Sequence, residues 1–185
     1  MTSTFDGKAE TIDLATISLA ALTDHLEQTH HAYLRSELSQ LDEMTKKVAG
    51  VHGEKDPRLY QLRDTFLELA AEFSNHLMKE EQILFPMVRQ LEVGDKAPIF
   101  HCGMIANPIH QMELEHQELS SMMGRLRELA DGFTAPDWAC NTHRALLDSL
   151  ADLERDTEEH THKENDVLFP RAREMELDKR ATALA

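Results

Sequence analysis

The sequence predicts an all-α fold, an up-down-up-down four-helix bundle. Apolar residues recur at steps of three and four in four long segments, and no segment has the alternating pattern of a strand. Glycine and proline concentrate at three breaks between these segments, near residues 50–57, 94–108 and 132–136. Each segment also carries a histidine on its apolar stripe, and the midpoint between successive histidines falls in or beside a break. Alternating helices would therefore bring the four histidines to one level.

The four helices are predicted at residues 14–48, 58–92, 108–131 and 139–174. The second has the clearest stripe, which runs from Leu59 through His76 and Glu80 to Ile83. The other three stripes contain His31, His116 and His160. The fourth stripe, like the second, adds a glutamate one turn after its histidine. Each helix therefore directs a potential metal ligand into the bundle.

One motif occurs twice, H-x-x-K-E-x-x-φ-L-F-P at residues 76–86 and 160–170, where φ is Ile or Val. Its His and Glu are four residues apart and lie on one helix face. The Leu-Phe pairs predict an apolar collar beside the glutamates, and Pro86 and Pro170 predict a kink or an end of the helix. Similar spacing upstream, from His25 to His31 and from His110 to His116, indicates two copies of a helical hairpin.

These polar residues on apolar stripes favour a metal site. The alternative is that they satisfy one another in the core, but six buried and unpaired groups at one level would cost roughly 1–3 kcal/mol each. A chain with the usual stability of roughly 5–15 kcal/mol cannot carry that cost without compensation. The predicted ligands are His31, His76, Glu80, His116, His160 and Glu164. Four imidazoles and two bridging carboxylates fit two iron ions best, with manganese or zinc as alternative occupants.

The remaining histidines are predicted outside the ligand set. His52 falls at the far turn of the first hairpin, roughly 30 Å from His31 along a continuous helix. Three others are predicted to face solvent, namely His30, His143 and His162. His25 and His110 either support ligands or are solvated, and solvation is favoured. Glu72 and Glu115 fit a supporting role and an exposed helix flank equally well.

Bulk properties exclude several classes of protein. A formal net charge of −15 argues against binding to nucleic acid or to anionic membranes. No apolar run approaches the roughly 20 residues of a membrane span, and the start of the chain lacks the features of a signal peptide. Cys102 and Cys140 are too few for a disulfide framework, so we expect a cytoplasmic protein, monomeric or homodimeric. One domain is predicted at residues 12–176, with tails at 1–11 and 177–185.

The chain resembles the hemerythrin-like domain of the RIC family, the di-iron proteins that repair iron centres. The resemblance covers about residues 12–173 and rests on the doubled motif and on four further segments. These are His-His-Ala-Tyr-Leu-Arg at 30–35, Lys-Val-Ala-Gly-Val-His-Gly at 47–53, Met-Glu-Leu-Glu-His at 112–116 and Ala-Cys-Asn-Thr-His-Arg-Ala-Leu at 139–146. It implies a carboxylate-bridged di-iron centre, with an oxo or hydroxo bridge, on the same six residues.

The resemblance also implies a function, the repair of iron–sulfur clusters after nitrosative or oxidative damage. In this role the protein would give labile iron to damaged iron–sulfur proteins. This role is closer to that of an iron-donating protein than to that of a classical enzyme, and the sequence leaves the choice open. Two alternatives use the same ligands, binding or sensing of nitric oxide or oxygen, and reduction of nitric oxide. The sequence lacks the adjacent cysteine pair of the N-terminal domain in longer members, and position 112 is Met where oxygen-carrying hemerythrins have a further histidine.

Overall fold

The computed structural model describes Leu14 and residues 16–183, which form four helical rods. Within these residues there is no strand, and the one isolated β-bridge joins Phe100 to Gly103. The all-α prediction is confirmed. The predicted N-terminal tail at 1–11 lies outside the described residues.

The first two rods are each interrupted by a π-helical segment. The first rod consists of α1 (Leu19–Leu26), the π segment Glu27–His31 and α2 (Ala32–His52). The second rod consists of α3 (Arg58–Lys79), the π segment Glu80–Leu84 and α4 (Phe85–Glu92).

The third rod is the uninterrupted helix α5 (Ala106–Leu129), followed by the single 3₁₀ turn Asp131–Phe133. The fourth rod consists of α6 (Asn141–His162), the π segment Lys163–Leu168 and α7 (Phe169–Thr182). Among the described residues, no helix is both long enough and apolar enough to cross a membrane.

Contacts at the two ends of the rods establish their directions. The rings of His31 and His160 lie 5.0 Å apart at one end of α2 and α6, and His52 lies beside Cys140 at the other end. These two helices are therefore antiparallel. Short turns join α2 to α3 and α5 to α6, so the rods alternate up and down, as predicted.

The first rod begins at Leu19 instead of residue 14 because side chains satisfy its first N–H groups there. Ser18 Oγ accepts a hydrogen bond from Ala21 N at 3.0 Å. The carboxylate of Glu92, from the end of α4, accepts from Leu19 N and Ala20 N at 2.7 and 3.0 Å. Capping of this kind defines the start of a helix.

The fourth rod continues to Thr182, beyond its predicted end at residue 174, because two side chains in α7 bind the end of α4 and the loop that follows it. The buried carboxylate of Glu176 accepts a hydrogen bond from Ile105 N at 3.0 Å. Lys179 Nζ donates to the carbonyl oxygens of Leu91 and Gly94, each at 2.6 Å. Part of the segment predicted as a C-terminal tail is therefore helical.

The core consists of two apolar clusters with a polar layer between them. One cluster fills the bundle toward the α2–α3 turn, and the other surrounds the start of α1, α4 and α7. Each rod passes from one cluster to the other through its candidate ligands. The predicted collar is present in the second cluster, where all four side chains are fully buried: Leu84, Phe85, Leu168 and Phe169.

The π segments shift the phase of the buried face. An uninterrupted α-helix would keep Ile83 on the stripe of His76 and Glu80, as predicted, but Ile83 is 48% exposed and Leu84 is buried in its place. A π turn contains one more residue than an α turn, which accounts for the shift. Pro86 is the second residue of α4 and Pro170 is the second residue of α7, so both rods continue past their prolines.

Candidate metal centre

Six buried side chains from the four rods converge in the polar layer. They form two groups of four that share both glutamates, and within each group the candidate ligand atoms lie within 4.8 Å of one another. One group contains His31 and His160, and the other contains His76 and His116. The structure thus brings together all six predicted ligand residues, with the shared pair being Glu80 and Glu164.

The two carboxylates each offer one oxygen to each histidine pair. Glu80 Oε2 lies 3.4 Å from His31 Nε2, and Glu80 Oε1 lies 3.4 Å from His76 Nε2. Glu164 Oε1 lies 3.2 Å from His160 Nε2, and Glu164 Oε2 lies 3.1 Å from the Nε2 atom of His116. Two ligands bound to one ion at right angles, with bonds of ~2.1 Å, are ~3 Å apart. The spacing therefore fits two ions bridged by both carboxylates.

Many polar atoms in this layer have no hydrogen-bond partner among the described residues. They are His31 Nε2, His160 Nε2 and both carboxylate oxygens of Glu80 and of Glu164. The remaining two Nε2 atoms, of His76 and His116, lie 3.1 Å from each other. Leaving such buried groups unpaired is costly. Bound cations would satisfy all of these atoms, so the donor set fits a metal centre.

The electrostatics of the two glutamates differ. Burial, with the negative charge of Glu164, raises the pKa of Glu80 well above its ordinary value. Burial also raises the pKa of Glu164, but His160 and His116 outweigh it, and this pKa lies well below the ordinary value. Burial, together with the charge of His116, lowers the pKa of His76 to about 4. A cation between the two carboxylates would favour the ionised form of both.

In three of the four histidines the other ring nitrogen, Nδ1, donates a hydrogen bond to a neighbouring side chain. His31 Nδ1 lies 2.7 Å from Glu81 Oε1, and His76 Nδ1 lies 3.1 Å from the carboxylate of Glu115. His116 Nδ1 lies 3.0 Å from Asn165 Oδ1. A proton on Nδ1 leaves Nε2 as the free lone pair, so these bonds hold each ring in the tautomer that binds metal.

His30 supports the fourth histidine by stacking. Its ring lies 5.2 Å from that of His160 with an interplanar angle of 7°. Its own nitrogens bind Asp156 Oδ1 at 2.8 Å and Lys163 Nζ at 2.7 Å. The prediction that His30 faces solvent is wrong. The apolar stripe that ends at His30 and the stripe that begins at His31 are offset by one residue, and the π segment Glu27–His31 accommodates the offset.

The structure distinguishes the other polar residues near the stripes. His143 is 3% exposed, so its predicted surface position is also wrong; it packs in the first turn of α6 against His52 and Trp138. His162 and His110 are exposed, as predicted, and His25 is half-buried. Glu115 takes the supporting role left open by the sequence, whereas Glu72 is exposed.

Apolar rings close one side of the centre. Phe85 stacks on His31 with ring centroids 5.4 Å apart, and Phe169 stacks on His116 at 5.9 Å with an interplanar angle of 5°. On another side, a surface cleft of about 440 Å³ reaches the edge of His116 between Thr157 and Asn165. The collar limits water from one direction, and the cleft gives small molecules a route to the ring of His116.

Comparison with known proteins agrees with this geometry. The family described as "Hemerythrin HHE cation binding domain" matches residues 22–172. This chain belongs to that family. Domains of the hemerythrin family bind metal cations, and the buried layer supplies the histidine and carboxylate donors that such cations need.

Two relatives are named for a repair function. The iron–sulfur cluster repair protein YtfE of Salmonella schwarzengrund is 35% identical over 160 residues, which cover 86% of this chain and 69% of that protein. The protein of the same name from Pectobacterium atrosepticum is 38% identical over 157 residues, covering 83% of this chain and 66% of that protein. The hemerythrin-type chain thus spans about two thirds of their length, and its predicted resemblance to the repair proteins is confirmed.

Sequence reasoning missed the Nδ1 partners Glu81 and Asn165, although a signal for them exists. Each directly follows a glutamate of the repeated motif and so occupies the same motif position. Glu115 and His30 similarly precede His116 and His31 directly. Residues adjacent to the ligands therefore support the rings of other ligands.

Proposed function

We propose that the buried layer is a di-iron centre. His31 and His160 bind one ion, His76 and His116 bind the other, and Glu80 and Glu164 bridge them. The observation that carries this proposal is the division of each carboxylate between the two histidine pairs, at distances of 3.1–3.4 Å. A single ion would leave one oxygen of each glutamate without a partner.

Iron is favoured by the chemistry of the donors. Imidazole nitrogen and carboxylate oxygen together suit iron, and each of the two positions is offered two nitrogens and two oxygens, without the thiolates that are common in structural zinc sites. Magnesium and calcium prefer sites made of oxygen alone. Bound iron would supply either a transferable ion or a redox-active centre that binds small molecules.

We infer that the protein takes part in repair of iron–sulfur clusters and works by giving iron to damaged iron–sulfur proteins. The names of its relatives support this role. The protein side chains control retention. Each imidazole holds metal only while Nε2 is unprotonated, and Glu81, Glu115 and Asn165 keep the ring protons on Nδ1.

Iron transfer can be measured directly. Iron-loaded protein is mixed under reducing conditions with an apo iron–sulfur enzyme and sulfide, and both the iron on the acceptor and its recovered activity are followed. We expect iron to move to the acceptor and activity to return. The Glu80→Ala, Glu164→Ala double variant, incubated with the same amount of iron beforehand and desalted, should give neither. Iron that stays on the wild-type protein throughout would contradict the donor role.

The cleft beside His116 favours nitric oxide or oxygen binding as a second function. It leads from solvent to one histidine pair, and a diatomic molecule fits easily within about 440 Å³. Titration of the iron-loaded protein with nitric oxide distinguishes the functions. A stable iron nitrosyl with full retention of iron favours sensing or scavenging, turnover to nitrous oxide favours a reductase, and iron loss without either product favours donation.

A further inference from the structure

A second cluster of reactive side chains lies at the opposite end of the bundle from the metal centre. Cys140 is exposed, and its Sγ atom lies 3.2 Å from His52 Nε2. The two residues come from different rods, at the end of α2 and directly before α6. A thiol within hydrogen-bond distance of an imidazole has the basic arrangement of an activated nucleophile.

The backbone around Cys140 also favours a thiolate. Cys140 is the N-cap of α6, a helix of 22 residues, and has extended backbone angles of φ −75° and ψ 168°. Helix N-termini stabilise negative charge. The hydrogen bond with His52, followed by the backbone N–H groups of His143 and Thr142, lowers the pKa of the Cys140 thiol to about 7.

Aromatic rings pack around the Cys140–His52 pair. The ring of His52 packs against His143 at 5.9 Å and against Trp138 at 5.5 Å. His143 is 3% exposed, and its Nδ1 atom has no hydrogen-bond partner among the described residues. Lys55 Nζ lies 4.5 Å from the centre of the Trp138 ring. A group that enters beside Cys140 and His52 therefore lies close to the ring of Trp138 and to the cation of Lys55.

The other cysteine provides an internal comparison. Cys102 is half-buried in the loop before α5, where it packs against the second apolar cluster. No base lies within hydrogen-bond distance of its thiol in the part of the chain that the structure describes. The two cysteines therefore differ in exposure and in the presence of a base.

We propose that Cys140 and His52 form a nucleophilic thiol site that undergoes exchange with small-molecule disulfides. The Cys140 thiolate attacks one sulfur of the disulfide, so that one S–S bond forms while another breaks. The leaving thiolate takes its proton from the imidazolium of His52 or from water. Cys140 is oxidised to a mixed disulfide while the released half of the incoming disulfide is reduced to a thiol, so no further oxidant is needed.

The site is independent of the metal centre. Cys140 and His160 lie at opposite ends of α6, 20 residues apart by their numbers, which corresponds to ~30 Å of helix. A failure to observe disulfide exchange at Cys140 would therefore leave the di-iron proposal unaffected. Likewise, a failure to find two irons would leave the proposal for Cys140 unaffected.

The test compares single-cysteine forms of the iron-loaded, full-length protein. Cys102→Ser and Cys140→Ser variants are incubated with glutathione disulfide at neutral pH, and the adduct is followed by mass spectrometry of the intact chain. We expect the Cys102→Ser protein, which keeps Cys140, to form one adduct at least about threefold faster than the Cys140→Ser protein. After unfolding in urea the two rates should become similar.

A second variant tests the role of His52. In the Cys102→Ser background, His52→Gln should slow adduct formation by about three- to tenfold, with helix content and iron content unchanged. Equal rates for the two folded single-cysteine proteins, or an unchanged rate in the His52→Gln variant, would overturn the proposal.

Discussion

The two histidine pairs of the metal centre have the same ligands but different supporting residues. In the pair of His31 and His160, the first ring donates to a carboxylate, Glu81, which also binds Arg35. The second ring is stacked against His30. Phe85 of the collar stacks on His31, as Phe169 does on His116 of the other pair.

The pair of His76 and His116 also has one carboxylate support, Glu115, which is tied to Lys79 at 2.7 Å. Its second ring, however, donates to the neutral amide of Asn165. The cleft reaches only this pair, at His116. A carboxylate in place of this amide would make His116 more basic. Because the cleft gives a chelator access to this pair at His116, we expect iron to leave the His76 pair first.

The two halves of the chain share their candidate ligand positions but differ at the residues next to them. Glu81 and Asn165 occupy the same position of the repeated motif, and Glu115 and His30 occupy the same position before a ligand. The candidate ligands are equivalent in the two halves, while the adjacent positions differ in charge. In the proposed centre the two metal positions are therefore unequal.

The largest effect is expected from the bridging residues. Glu80→Ala or Glu164→Ala should each remove most of the iron from both pairs, because each carboxylate serves both. Metal analysis after desalting measures the loss. His52→Ala is the matched control and should retain full iron. A Glu80→Ala protein that keeps one full equivalent would mean that the glutamate serves a single position.

Substitutions at Glu81 and Asn165, the two equivalent Nδ1 partners, test whether the two histidine pairs hold iron unequally. Glu81→Gln should weaken iron binding at the His31 pair about tenfold, since loss of such a support typically costs 10- to 100-fold. Asn165→Asp should slow iron loss from the His76 pair. Competition with a chelator, followed over time, resolves the faster and slower fractions. If Asn165→Asp leaves the faster fraction unchanged, the proposed order of release is wrong.

Substitutions at Glu115 and His30, which directly precede His116 and His31, distinguish an effect on iron binding from an effect on folding stability. Glu115→Gln should weaken iron binding about tenfold, because His76 loses a carboxylate partner. His30→Phe keeps an aromatic ring beside His160 but loses the bonds to Asp156 and Lys163. We expect this variant to keep its iron and to lose about 1–3 kcal/mol of unfolding free energy in urea denaturation. Equal iron loss in both variants would remove the distinction.

The smallest effects are expected at the helix caps, which also occur as an equivalent pair. Glu92 caps α1, and Glu176 binds the N–H of Ile105 at the start of α5. Glu92→Ala should lower the unfolding free energy by about 1 kcal/mol. Glu176→Ala should cost somewhat more, about 1–3 kcal/mol, because Glu176 is fully buried. Neither change should alter iron content, and thermal denaturation with metal analysis checks both statements.

The sequence predicted the bundle and the convergence of the six side chains because both depend on helical period and spacing. A histidine on each stripe and turns at the midpoints are sufficient to place His31, His76, His116 and His160 at one level. Those features do not depend on the details of any turn.

The π segments could not be predicted in this way, and the errors follow from them. A π turn adds one residue without a marker in the composition, so the predicted stripe placed Ile83 inside and His30 outside. The Nδ1 partners depend on side-chain directions across the bundle, which periodicity does not describe. The early end predicted for the fourth rod has a different cause, since Glu176 and Lys179 bind a loop that is distant in sequence.

The central feature of the proposed centre is a pair of irons bridged by two shared carboxylates. X-ray absorption at the iron edge, combined with metal analysis of the protein as purified, tests this directly. We predict two irons per chain and an iron–iron scattering distance of ~4 Å or less, as in other two-metal sites. One iron per chain, or two irons without a metal–metal distance in that range, would contradict the central claim.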